Sequence, residues 1–149
     1  MSEPSLRPAV VGDAADLHTL LLRLAADIPL AVETLEQEEA LYAQLRKTLG
    51  WGESWVAEES GRIVGCVLVD NVQTGRHWGE NEALDLRYAA GDRVDALVGK
   101  VLERSAPITA SVKDANRTGL AEALATLGFR QTDTRVGERR FRRDPGGQG

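Results

Sequence analysis

Leu17, Leu20, Leu21 and Leu24 recur at i, i+3, i+4 and i+7, which is one face of an amphipathic helix. The stretch before it, Leu6 to Val11, reads as a short strand, with Pro8 suited to an edge or early position. Gly12 ends that strand. Asp13 stands where a helix cap is wanted, and Asp16 lies near the positive helix end. Pro29 breaks the run. Leu35, Tyr42, Leu45 and Leu49 then share the apolar face of a second helix. Thr34 and Gln37 have capping-box spacing at its start, and Gly50 is its stop.

The pattern changes after Gly50. Ser54 to Glu58 and Arg62 to Asp70 read as two strands joined by a tight turn at Ser60 and Gly61. The second strand is almost continuously apolar, which predicts burial on both faces and a central place in the sheet. Asn71 to Asn81 is polar and reads as a loop. Ala83 to Tyr88 is a short strand in which Asp85 alternates with Leu84 and Leu86, so it faces the other side of the sheet. Asp92 is placed to cap a third helix with the stripe Val94, Leu97, Val98, Val101 and Leu102. Pro107 precedes a strand over Ile108 to Val112. A fourth helix follows Asn116, with the stripe Leu120, Ala123, Leu124 and Leu127, and Gly128 stops it. Strands near Arg130 to Thr134 and Arg139 to Arg143 finish the pattern, and Asp144 to Gly149 reads as a disordered tail. The order β-α-α-β-β-β-α-β-α-β-β predicts one α/β domain over residues 1–143, with helices on both faces of a mixed sheet.

Composition narrows the chemistry. The net charge of −5 argues against a nucleic-acid partner. Cys66 is the single cysteine, so no intrachain disulfide forms, and with only His18 and His77 beside it a dedicated zinc site is not expected. Met1 to Pro8 has no apolar signal-type core, and the longest apolar run, Ile63 to Val69, is far too short to span a bilayer. The expectation is a cytoplasmic protein with no membrane partner.

Three stretches carry a resemblance. They are Leu6-Arg7-Pro8-Ala9 with Asp13 and Leu17; Trp55-Val56-Ala57-Glu58 followed by Gly61-Arg62-Ile63-Val64-Gly65; and Val112, Asn116 and Leu127-Gly128-Phe129. In this order and spacing the chain resembles the GNAT (Gcn5-related N-acetyltransferase) superfamily over nearly its whole length. That resemblance implies a mixed, mostly antiparallel central sheet flanked by about four helices. It also implies acetyl-CoA as co-substrate and a small-molecule or protein amine as acceptor. In relatives the acyl-CoA pyrophosphate meets backbone N–H groups at a helix N-terminus, in a loop of pattern (Gln/Arg)-x-x-Gly-x-(Gly/Ala). The matching stretch here is degenerate: Arg93 fits, but Ala96 stands where the first glycine is expected and Val98 where the second glycine or alanine is, and Asp92 and Asp95 bring negative charge. Two readings stay open, a capped helix start at Gly91 to Asp95 or a working cofactor loop. A shifted register would use Ala89-Ala90-Gly91, with the N–H groups of Gly91 to Val94 facing the ligand. The resemblance further implies pantetheine contacts to the backbone of Leu86, Arg87 and Tyr88, and a cofactor-side place for Val94 and Asn116.

Catalytic groups follow from the same comparison. Relatives use a carboxylate or water chain as base and often a tyrosine in the fourth helix as acid. That tyrosine position is Leu124 here, which transfers no proton. The base candidates are Glu82 and Asp85, with Arg87 as a structural ion-pair partner for Asp85, and Tyr88 is the alternative acid. Cys66 reads as a core thiol. Glu33, Glu36, Glu38 and Glu39 either wall a cationic-acceptor pocket or form a solvated helix start. Trp51 and Trp78 line a pocket or cover a sheet edge. Arg135, Arg139, Arg140, Arg142 and Arg143 read as a charged edge strand that resists aggregation, or as an anion contact. Two functions are carried forward: an N-acyltransferase acting by direct amine attack, and a non-catalytic module of the same fold that senses a ligand or binds a protein. Homodimerisation through the sheet edge is a further expectation.

Overall fold

In a computed structural model of the chain, residues 4–73 and 82–145 are described. Their elements run β1 (Ser5–Pro8), a 3-10 turn (Val11–Asp13), α1 (Ala14–Arg23), α2 (Leu35–Leu49), β2 (Trp55–Glu59), β3 (Arg62–Gln73), β4 (Glu82–Gly91), α3 (Val94–Val101), β5 (Ile108–Lys113), α4 (Leu120–Thr126), β6 (Arg130–Arg135) and β7 (Glu138–Arg143). The strands form one seven-stranded sheet in the order β1-β2-β3-β4-β5-β7-β6. Only the β4–β5 pair is parallel. No described helix is long and apolar enough to cross a membrane.

The apolar run of β3 explains the two cores. Successive residues point to opposite faces. Cys66 and Leu68 join Leu17, Leu21 and Leu45 under α1 and α2. Val67 and Val69 join Leu84, Leu97 and Leu124 under α3 and α4. All are fully buried or nearly so, and each such side chain stabilises the fold by roughly 1.5–3 kcal/mol. β3 is therefore an interior strand. The Thr34–Gln37 capping box is present: Gln37 N donates to Thr34 Oγ1 at 3.1 Å, and Thr34 N donates to Gln37 Oε1 at 3.1 Å.

Several local expectations change. Asp13 does not cap α1 through its side chain. Its carboxylate turns back to accept from Val10 N at 2.9 Å and from both Arg7 Nη atoms at 3.0 Å. Leu35 is 70% exposed, because it opens α2 before the stripe reaches the sheet; Leu41 is buried in its stead. Asn71 to Gln73 extend β3 rather than opening a loop. Arg93, not Asp92, is the N-cap of α3. The arginine-rich β7 is interior, and β6 is the edge, because the chain returns from β6 to pair with β5. Asp144 is tied to Arg142 at 2.8 Å, while residues 146–149 and Trp78 lie outside the described residues.

Candidate active site

The site begins with a register shift. Leu68 pairs with Tyr88 but Val69 pairs with Leu86, so Arg87 is the extra residue of a β-bulge in β4. A bulge bends its strand and re-aims a side chain. On the other edge, β4 pairs with β5 only at Leu84–Ile108, Asp85–Thr109 and Leu86–Ala110. Beyond Leu86 the strands part, while β5 stays paired with β7 along its whole length. The β4 edge facing β5 thus keeps backbone groups without a ladder partner.

A cleft of about 490 Å³ fills this opening. Asp85, Arg87 and Tyr88 reach it from β4, Ser111 and Lys113 from β5, and Glu138 and Arg140 from β7. The α1–α2 linker contributes Ile28 and Leu30 to its lining. Two hydrogen bonds hold the linker there: Arg117 N donates to Asp27 O at 2.8 Å, and Lys113 Nζ donates to Pro29 O at 2.9 Å. On the α3–α4 side, a second pocket of about 420 Å³ is lined by Gly91, Val94, Asp95, Thr118, Gly119 and neighbours. Leu120 lines both. A third pocket of about 330 Å³ lies against α2 and shares Leu30, Arg87 and Tyr88 with the first.

Asp85 is half-buried and accepts from Thr109 Oγ1 at 2.8 Å. Burial raises its carboxyl above the ordinary carboxylate range; the Thr109 bond pulls it down, Asp70 raises it again, and Arg140 and Arg87 oppose that. Asp70 is its register partner on β3. Arg87 Nη1 stands 3.6 Å from Asp70 Oδ2, so the ion pair expected between Arg87 and Asp85 goes to Asp70 instead.

The start of α3 is short and tight. Gly65 and Gly91 are register partners, and a β-carbon on either would overlap backbone of the other strand's end. Gly91 has φ of 85° and Arg93 has φ of 63°. Asp92 N donates to Val64 O at 2.9 Å, so that amide does not face a ligand. The first intrahelical bond is Leu97 N to Arg93 O, which leaves the Val94, Asp95 and Ala96 amides outside the helix ladder.

The predicted residues therefore separate. Asp85, Leu86, Arg87, Tyr88 and Asn116 line the first cleft, and Gly91 and Val94 the second. Asp92, Arg93 and Ala96 line neither. Asn116 Oδ1 accepts from Thr118 N at 2.8 Å and Thr118 Oγ1 at 2.6 Å, shaping the turn into α4. Glu82 pairs with Gln73 in the ladder, and its side chain lies outside the described residues. Glu33, Glu36, Glu38 and Glu39 line none of the three pockets, and neither does Trp51. Sequence reasoning missed Ser111, Lys113 and Glu138, and it read Arg140 as an edge residue. The signal was present in β5, where Thr109, Ser111 and Lys113 alternate with Ile108, Ala110 and Val112.

The fold as a whole has counterparts among solved structures. An agmatine N-acetyltransferase mutant in its apo form superposes with a TM-score of 0.75 at 15% identity, over 95% of this chain and 99% of that one. The GNAT fold is shown. A Drosophila melanogaster polyamine N-acetyltransferase shares this GNAT fold with a TM-score of 0.70 at 17% identity, over 94% and 99%. The PaiA N-acetyltransferase of Thermoplasma acidophilum, in complex with coenzyme A, gives 0.67 at 12% identity, over 97% and 99%. No protein-family model matches the sequence, and no curated protein matches it.

Proposed function

We propose that this chain is an N-acyltransferase that takes an acetyl group from acetyl-CoA and passes it to a primary amine by direct attack. The observation that carries the reading is the parting of β4 and β5 at the Arg87 bulge. It opens a cleft holding a carboxylate of raised pKa, and Leu120 lines both that cleft and the pocket beside the α3 N-terminus. Similar folds belong to proteins named for agmatine, polyamine and ribosomal-protein alanine acetylation, and a further one, the PaiA N-acetyltransferase, was crystallised with coenzyme A.

Acetyl-CoA supplies the acyl group as an activated thioester. The free β4 edge at Arg87 to Ala90 offers backbone groups to the pantetheine arm. The Val94 to Ala96 amides at the positive end of α3 meet the pyrophosphate. Asp85 takes the proton from the attacking amine, and its raised pKa makes it a stronger base than an exposed carboxylate. Tyr88 returns a proton toward the leaving thiolate, in place of the α4 tyrosine that Leu124 displaces. The α1–α2 linker keeps water from the reacting centre. Release of free CoA thiol from acetyl-CoA in the presence of an amine panel tests the reading. Turnover with at least one amine supports it, and hydrolysis-level rates with every amine oppose it.

A second reading, a ligand-binding module without turnover, is favoured by one observation. Leu124 is fully buried in the core and α4 brings no acid to the cleft. CoA binding without acyl transfer is its signature.

A further inference from the structure

We infer that the acceptor is a small amine that also carries a carboxylate, an amino acid with an apolar side chain, and that Arg87 binds that carboxylate. The inference rests on the acyltransferase reading and adds the acceptor class to it.

Arg87 is the bulge residue of β4, and it is shared by the first cleft and the α2-side pocket. Its guanidinium has five donor hydrogens. Among the described residues it makes no hydrogen bond, and its one ion pair, with Asp70, is long at 3.6 Å. The side chain is 42% exposed, so a ligand reaches it. A planar fork with unused donors is matched to a carboxylate, which it holds with two parallel bonds.

The surroundings decide against a polycation. Leu30, Val32, Ala40 and Leu41 wall the α2-side pocket, with Gln37 and Gln44, and Arg87 is the charged group in its lining. A second ammonium group placed there meets Arg87 with no carboxylate in the lining itself; the Asp70 carboxylate that faces Arg87 at 3.6 Å lies outside it. The acidic residues of the first turns of α2 line none of the pockets. The first cleft sets Arg87, Lys113 and Arg140 against Asp85 and Glu138, so its lining is also net positive. Asp85 sits two residues before Arg87 on the same strand, with its Thr109 bond fixing one edge of the carboxylate. An amino acid fits this pair: its amine toward Asp85, its carboxylate on Arg87, and its side chain among Leu30, Val32 and Leu41.

The test compares leucine, leucinamide, 3-methylbutylamine and spermidine as acceptors at saturating acetyl-CoA, by CoA thiol release. Leucine is expected to exceed leucinamide and 3-methylbutylamine by ~10-fold or more in kcat/KM, the value of charge-assisted bonds to one carboxylate. Leucinamide is the strict control, because its amine is less basic than that of leucine and more of it is deprotonated at neutral pH. In Arg87→Gln the leucine preference falls toward one, through KM rather than kcat, and Arg87→Lys recovers part of it. Equal or better use of leucinamide, 3-methylbutylamine or spermidine by the unmodified protein overturns the inference and leaves the acyltransferase reading standing. The same holds if Arg87→Gln keeps the preference. Absence of turnover with every amine overturns both. The comparison among substrates needs no variant, so a misfolded Arg87→Gln protein does not remove the test.

Discussion

Gly65 on β3 and Gly91 on β4 face each other as register partners, and neither has room for a β-carbon. On Gly65 it would overlap the Asp92 carbonyl; on Gly91 it would overlap the Val64 carbonyl. The two missing side chains let Asp92 N reach Val64 O and turn the chain into α3 within two residues. The pocket beside α3 is thus shaped by a backbone contact, not by the pattern of small residues inside the helix.

Gly65→Ala and Gly91→Ala are each expected to destabilise the protein by about 3 kcal/mol, because the obstructing atoms are backbone that cannot move aside cheaply. Gly91→Ala adds the strain of a positive φ. Gly52→Ala is the comparison for φ alone, since its β-carbon meets nothing within 4 Å. Urea midpoints of the three variants check this, with Gly52→Ala the mildest.

Asp85→Asn is expected to lower kcat/KM by about 10²–10⁴. In the native protein the acid limb of the kcat/KM profile lies above the ordinary carboxylate pKa of about 4, and the variant lacks that limb. Stability moves the other way. A carboxyl raised on folding stabilises below its unfolded pKa, and that stabilisation is lost as pH rises through the folded value. Asp85→Asn should therefore melt higher than the native protein at neutral pH, with the gap closing in acid.

Arg7 and Asp13 tie β1 to the start of α1. The Arg7 hydrogen bond holds the Asp13 carboxyl below the ordinary range, with burial opposing and the Val10 N–H assisting. Its contribution is present above the unfolded carboxylate pKa and is lost as pH falls through the depressed folded value. Asp13→Asn is expected to cost about 1.5–3 kcal/mol at neutral pH. Melting curves across the acid range should show native and variant converging at the lowest pH.

Cys66 is fully buried, and burial pushes its thiol up to about 12, with a backbone hydrogen bond at Ala90 opposing. It is expected to resist alkylation in the folded protein, at a rate set by unfolding. Labelling that keeps pace with a free thiol would place Cys66 outside the core.

The legible part of the fold was its periodicity. The leucine stripe of α1, the apolar run of β3 and the Thr34–Gln37 box each follow from a local rule, and each appears in the structure. The bulge at Arg87 was not legible, because it depends on how β4 pairs with β3 and leaves β5. Alternation alone put Arg87 on the Asp85 face and Tyr88 on the opposite one; the extra residue leaves Arg87 beside Asp70 and brings Tyr88 to the same side, against the Leu68 core. Asp92 as a cap failed for a similar reason, since the Gly65–Gly91 contact draws its amide to Val64 O. Arg140 was visible only as charge until the return of the chain placed β7 between β5 and β6.

The most direct test of the central claim is a calorimetric titration of acetyl-CoA, and then free CoA, into the purified chain. The account predicts saturable binding of both with a Kd of roughly 1 µM to 1 mM, lost in Gly91→Ala if that variant folds. An absence of binding at millimolar CoA would contradict it, because the pocket between α3 and α4 would then serve some other ligand.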